Sequence, residues 1–202
     1  MSYNPAFRFY TPSDWGQGVN HITNPYYYFS NLLSNEECDN VTKWGASKPL
    51  SNATIMSSDD KQVVDPMRRT KIGWIPTENF EWLYDRVYAS TVNTNYWGYE
   101  LCGFAEAMQF GVYDAKESPA YYKSHVDIGP SHNFRKISMI ICLSDTKEYE
   151  GGDIHLQGAG VLARLNKGDA IVFPSFLHHE VTPVTSGIRK SIVAWISGPK
   201  LR

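Results

Sequence analysis

The sequence predicts a mainly β domain with flanking helices (α+β), a sandwich or jelly roll with the helices packed on it. Three observations carry this. From Ala105 onward the chain is built of short β-type runs: AEAMQFGVY, KISMIICLS, GDIHLQ, GVLARL, AIVFPS and SIVAWIS. Turn clusters separate them at Glu150-Gly151-Gly152, Gly158-Ala159-Gly160 and Asn166-Lys167-Gly168-Asp169, and many short strands at such spacing build sandwiches and jelly rolls. Helical periodicity is confined to the first half of the chain.

The elements follow in order. SNEECDNVTKWGA opens on Ser34 with Glu37 three residues later, the reciprocal side-chain arrangement of a capping box. After Pro76-Thr77, the residues Phe80, Leu83, Tyr84, Val87 and Thr91 recur on one stripe, which predicts a second amphipathic helix. Residues 47–69 are polar and rich in Ser, Asp and Asn. They read as a long loop of the kind that covers a site. The expected organisation is one domain over 1–202, with 1–103 as helical N-terminal support and 104–199 as the jelly-roll core.

Bulk properties exclude several classes. The 202 residues carry a net charge of −2, which gives no general attraction to a polyanion, so a nucleic-acid partner is not expected. No apolar run approaches the length that spans a bilayer, so no membrane association is expected. Cys38, Cys102 and Cys142 are odd in number and widely spaced, with no CxxC; this predicts buried thiols in a reducing compartment rather than a zinc site. The start, MSYNPAFRFYTPSDWGQGVN, lacks the cationic and apolar segments of a signal peptide. A cytoplasmic protein is the expectation.

Candidate ligands cluster in HVDIGPSHNFRK, residues 125–136. On a strand, His125 and Asp127 would share one face, and a third ligand must come from elsewhere. His178-His179 follows a strand that ends at Pro174. These histidines point to opposite faces if the strand is regular, so only one can be a ligand. Two histidines and one carboxylate on facing strands form the facial triad of non-haem iron(II) oxygenases. Arg189, in a later run of strand character, is placed to hold a carboxylate by paired hydrogen bonds. His132, in the GPSHN turn, reads as solvent-exposed, and His155, between Ile154 and Leu156, as an outward-facing side chain. Tyr122 reads as an ordinary core aromatic.

Taken together, Ala105 to Pro199 resembles the iron(II)/2-oxoglutarate-dependent dioxygenase superfamily in its prolyl 4-hydroxylase-like branch. The matching stretches are Tyr113…Tyr122-x-x-His125-x-Asp127, the strand SMIICLSD, YEGGDIHL, KGDAIVFPS, His179-Glu180-Val181-Thr182-Pro183-Val184, Gly187, Arg189-x-Ser191 and Trp195. RRTKIGWIP resembles the region upstream of the barrel in that branch. The resemblance implies a double-stranded β-helix, a cupin-like jelly roll. It implies His125, Asp127 and His179 as Fe(II) ligands, with His179 rather than His178 selected by the run that follows it.

By the same resemblance, Arg189 pairs with the distal carboxylate of 2-oxoglutarate, Ser191 lies beside it, and Tyr113 helps to hold the co-substrate. Arg135 matches a substrate-side arginine. The implied reaction consumes 2-oxoglutarate and O2, hydroxylates an unactivated C–H bond, and releases succinate and CO2, with ascorbate as a reductant. A prolyl residue of a peptide or protein is the implied substrate; a free amino acid or small metabolite is the alternative. Two departures stand out: DAKESPAYY replaces a Gly-rich link after Tyr113, and Cys142 stands where some relatives carry a co-substrate tyrosine. The presence of Asp127 argues against a halogenase. Trp195, six positions after Arg189, stands where a nucleic-acid demethylase would carry a second arginine. A cupin-like metal enzyme or a silent ligand-binding jelly roll, the rivals from other classes, would not need Arg189.

Overall fold

The structure, a computed structural model, describes residues 25–56, 62–64 and 67–200. In chain order, β1 (Tyr27–Phe29) leads to α1 (Asn35–Ala46), then to β2 (Ser51–Asn52), β3 (Thr54–Met56), β4 (Gln62–Val64) and β5 (Lys71–Ile75), and then to α2 (Glu81–Asn93). The second half comprises β6 (Met108–Asp114), β7 (Ala120–His125), β8 (Arg135–Cys142), β9 (Tyr149–Gly151) and β10 (Ile154–Leu156). It ends with β11 (Val161–Ala163), β12 (Ala170–Pro174) and β13 (His179–Ser197).

The strand β13 organises the molecule. Its 19 residues pair first with β7, β9 and β10, and then, from Ile188, with β6 and β8. The first half of β13 thereby builds a minor sheet with β7, β9, β10 and β11. The second half lies inside a major sheet ordered β1-β12-β8-β13-β6-β5-β2. Every neighbouring pair is antiparallel. Two antiparallel sheets sharing one bent strand make the expected double-stranded β-helix.

Patterning explains the layers. Every residue of β8 is buried, and RKISMIIC therefore reads as a near-continuous apolar run rather than an alternation. Ile137, Met139 and Ile141 face a core shared with the helices, while Ile140 and Cys142 face the minor sheet. In β12 the split is Ala170 and Val172 against Ile171 and Phe173.

Both helices form as their patterns predict. Glu37 N–H donates to Ser34 Oγ at 3.2 Å and Ser34 N–H to Glu37 Oε2 at 2.8 Å, closing the capping box of α1. Near its end, a Cβ on Gly45 would stand 2.4 Å from the Phe110 ring, so this glycine lets helix and sheet approach closely. The helix α2 buries Leu83, Tyr84, Val87 and Thr91. The Tyr84 hydroxyl donates to Ile75 O at 2.7 Å and accepts from Met108 N–H at 2.9 Å, tying β5 to β6.

Three features differ from the sequence expectation. Residues 47–69 are not one loop: β2 joins the major sheet, and β3 and β4 form a separate hairpin. Within the 47–72 segment expected to act as a lid, residues 57–61 and 65–66 fall outside the described residues. The first half thus supplies strands as well as helices. Next, β7 (AYYKSH) carries no clean apolar alternation, being half-exposed along most of its length. It ends at His125, so Asp127 lies in the following loop rather than on the same strand. Last, SIVAWIS is not a separate short strand but continues from HEVTPVTSG as the second half of β13. No helix among the described residues is long and apolar enough to cross a membrane.

Candidate active site

His125 closes β7, Asp127 lies two residues on, and His179 opens β13. Register brings them together, because His125 and His179 are direct partners across β7 and β13. One ligand atom from each of the three residues lies within 4.8 Å of the others. Asp127 Oδ1 is 3.6 Å from His125 Nε2, and Asp127 Oδ2 is 3.5 Å from His179 Nε2. Among the described residues, no other group of His, Cys, Asp and Glu is arranged to hold a metal.

The surrounding hydrogen bonds orient each ligand. His125 Nδ1 donates to Lys123 O at 2.8 Å, and His179 Nδ1 donates to Leu177 O at 2.9 Å. A carbonyl can only accept, so Nδ1 carries the proton and Nε2 presents a lone pair. Each donor–acceptor pair is separated by two residues, so the strand backbone itself sets the ring. Tyr122 stacks on His125 at 3.5 Å between centroids, 15° from parallel. The edge of Phe173 meets His179 at 4.7 Å.

Asp127 is held on three sides. Its N–H donates to Ser175 O at 2.9 Å, its carbonyl accepts from Arg135 Nη1 at 3.1 Å, and Oδ2 accepts from Ser138 Oγ at 2.6 Å. Burial opposes its ionisation. The neighbouring His179 and His125 and the hydrogen bond from Ser138 outweigh this and hold the carboxyl below the usual carboxylate range. Burial pushes the His179 imidazolium the other way, lowering its pKa and favouring the neutral ring that a metal requires.

Arg189 lies deeper, 1% exposed. Its Nη1 donates to Ser191 Oγ at 3.3 Å, its guanidinium lies 5.2 Å from the Tyr113 ring centroid, and its Nε has no partner. No carboxylate among the described residues pairs with it. Gly152, at φ +72°, packs against it so closely that a Cβ there would sit 2.6 Å from Arg189 Cδ, so the Gly-Gly turn fits over the buried cation. A buried guanidinium without an anion is costly unless a ligand supplies one. Tyr113 and Ser191 line the same cavity as the triad and Arg189. The Cys142 thiol lies 3.7 Å from the Tyr149 hydroxyl.

The structure therefore brings together His125, Asp127, His179, Arg189, Ser191 and Tyr113. Arg135 lies just outside, with its guanidinium engaged by Glu106. His178 is exposed, with Nδ1 3.5 Å from Ser124 Oγ, and His155 pairs with Glu180 at 2.9 Å. His132 is exposed. Sequence reasoning missed Ser138 and the stacking of Tyr122. The Tyr122-x-x-His125 spacing was a signal for the second; Ser138 left none, since its partner comes from another segment.

Two imidazole nitrogens and one carboxylate oxygen on one side of a buried cavity fit iron(II), with positions left open for other ligands. Comparisons with known proteins agree. A PKHD-type hydroxylase of Colwellia psychrerythraea is 45% identical over 62 residues, covering 30% of this chain and 28% of that protein. One from Cupriavidus metallidurans is 34% identical over 102 residues, covering 46% of this chain and 40% of its own. The chain thus spans well under half the length of these curated relatives.

Among solved structures, a Trichoplax adhaerens prolyl hydroxylase bound to a hypoxia-inducible-factor degradation-domain peptide has a TM-score of 0.70 at 20% identity, over 89% of this chain and 86% of that one. A Pseudomonas putida prolyl-4-hydroxylase gives 0.66 at 18%, over 90% and 97%. These likenesses establish a shared fold. The profile of the 2OG-Fe(II) oxygenase superfamily matches residues 108–197, the stretch that carries all three triad residues and Arg189. Over that stretch, the chain resembles the 2OG-Fe(II) oxygenase superfamily.

Proposed function

We propose that the protein is an Fe(II)/2-oxoglutarate-dependent hydroxylase acting on a prolyl residue of a peptide or protein. The observation that carries this reading is the pairing, in one cavity, of a His125/Asp127/His179 triad with a buried arginine that lacks an anion. A cupin-like metal enzyme or a silent jelly roll has no use for that arginine.

His125, Asp127 and His179 would hold the iron, and Arg189 the far carboxylate of 2-oxoglutarate, with Ser191 and Tyr113 beside it. Bound iron(II) would activate O2, the oxidant: 2-oxoglutarate would give up two electrons on conversion to succinate and CO2, one oxygen atom entering succinate and the other the substrate C–H bond. The protein's part is ligation, orientation and exclusion of water. The two Nδ1–H donors fix the imidazoles, Ser138 fixes the carboxylate, and Arg189 sets how deep a dicarboxylate can enter. No side-chain general base is required.

The mouth of the cavity favours a peptide. Trp74 is half-exposed, with its ring 6.4 Å from that of Trp195 on the cavity wall. The exposed face of Trp74 suits the apolar ring of proline. The test is to incubate the iron-loaded protein with 2-oxoglutarate and proline-containing peptides. Succinate release with a one-oxygen mass gain on proline supports the reading; release and mass gain only with a free amino acid or small metabolite moves the substrate to that class.

A further inference from the structure

We infer that Arg135, together with Glu106, is a positioning residue that braces the metal-ligating Asp127 and the cavity wall at Trp195, and is not a contact for substrate. The inference rests on the triad being a metal site, as proposed above.

The register of β8 sets up this role. Ile196 stands opposite Ile137, but Ser197 stands opposite Arg135, a slip of one residue at Lys136. Regular alternation would send Arg135 to the helix side with Ile137. The bulge re-aims it onto the face of Trp195, as bulges commonly re-aim a side chain beside a site. The guanidinium then lies 3.8 Å from the Trp195 ring centroid.

Three of its five N–H donors are then engaged. Nε and Nη2 donate to Glu106 Oε2 and Oε1, each at 2.6 Å, and Nη1 donates to Asp127 O at 3.1 Å. This is a two-pronged pair with a carboxylate, the strongest kind that arginine makes. The Arg135 side chain is 10% exposed and that of Glu106 18%, so neither the charge nor the planar face is presented to a ligand. Glu106 precedes β6, Asp127 follows β7 and Trp195 lies in β13, so one side chain ties three segments around the site. Asp127 is held from opposite ends of its peptide units, by Ser175 at N–H and by Arg135 at the carbonyl. Removing one of these holds frees the carboxylate to move relative to the two imidazoles.

Groups that orient metal ligands typically carry about 10- to 100-fold in metal affinity. The test is titration with Mn(II) alone, read by the loss of free-ion electron paramagnetic resonance, on wild type, Arg135→Ala, Arg135→Lys, Glu106→Gln and the Arg135→Ala/Glu106→Gln double variant. Arg135→Ala should weaken Mn(II) by about tenfold or more. Lysine, with neither fork nor plane, should fail to restore it. Glu106→Gln should weaken it in the same direction, and the double variant should be no weaker than Arg135→Ala. Unchanged Mn(II) affinity in folded variants, with a raised KM for peptide, would overturn the inference and make Arg135 a substrate contact. If Arg135→Ala does not fold, Glu106→Gln, which keeps the side chain's size, decides by the same criterion. Failure of wild type to bind Mn(II) would instead remove the metal-site reading itself.

Discussion

His125 and His179 face each other across two antiparallel strands in direct register, with ring centroids 4.2 Å apart. Residues directly opposite on a sheet project to the same face. This histidine pair is therefore fixed by strand pairing, and a one-residue slip would send His179 outward and His178 inward. His179→Ala should abolish Mn(II) binding, while His178→Ala, at an exposed position, should leave it within about twofold of wild type. Equilibrium dialysis checks both, and the reverse pattern would mean that the register is wrong.

Ser138 supplies the short hydrogen bond that holds Asp127 Oδ2, and is itself 2.9 Å from Ser175 Oγ. Ser138→Ala leaves a buried carboxylate oxygen without its donor. Mn(II) affinity should fall by about tenfold with little change in fold, as read by circular dichroism. Asp127→Asn, which removes the charge, should lose more.

Arg189 is the second element of the site and donates nothing to a metal. Arg189→Ala should therefore keep Mn(II) affinity. A charge-assisted hydrogen bond contributes about 1.5–3 kcal/mol, so 2-oxoglutarate should bind about 10- to 100-fold more weakly. An unchanged KM for 2-oxoglutarate would assign the carboxylate to another cation.

Far from the site, Asp169 accepts hydrogen bonds from the Tyr28 hydroxyl, Asn31 N–H, and Asn166 N–H and Nδ2. Burial opposes its charge, but these donors outweigh it and lower its pKa. A carboxyl lowered in this way contributes stability that is present above its unfolded pKa, about 3.9, and is lost as pH falls through the lower folded value. Burial and the same carboxylate push the Tyr28 hydroxyl up to about 12, so its contribution holds below its unfolded pKa of about 10 and disappears as pH rises through the folded value. Urea midpoints should therefore fall at both extremes. Asp169→Asn should lower the midpoint at pH 7 and flatten the acid limb; an acid limb like that of wild type would show that other carboxyls dominate.

Much of this was legible in the sequence because it is written locally. The Ser34/Glu37 cap, the α2 stripe and the apolar runs of β8 and β12 each act through neighbours in the chain. The grouping of His125, Asp127, His179 and Arg189 was readable because their order and spacing resemble those of the 2OG-Fe(II) oxygenase superfamily. What escaped is set by tertiary pairing. The strand β7 is half-exposed and polar, and is held by pairing with β13 and by backbone hydrogen bonds to residues 67–69. The continuity of β13 through Pro183 and Gly187 contradicts local breaker signals. Gly187, at φ +75°, lies so close to Glu148 that a Cβ would meet its carbonyl oxygen at 1.9 Å, so what reads as a turn is a tight strand contact. The orientation of Arg135 depends on a bulge one residue away, which no periodicity announces.

The reading proposed above requires the triad and Arg189 to form one co-substrate site rather than two unrelated features. Anaerobic calorimetric titration of 2-oxoglutarate into Mn(II)-loaded and metal-free protein tests this most directly. Measurable binding to the loaded protein is expected, with binding to the metal-free protein weaker by about tenfold or more and binding to loaded Arg189→Ala weaker by about 10- to 100-fold. Equal affinity with and without Mn(II), or no effect of Arg189→Ala, would contradict it.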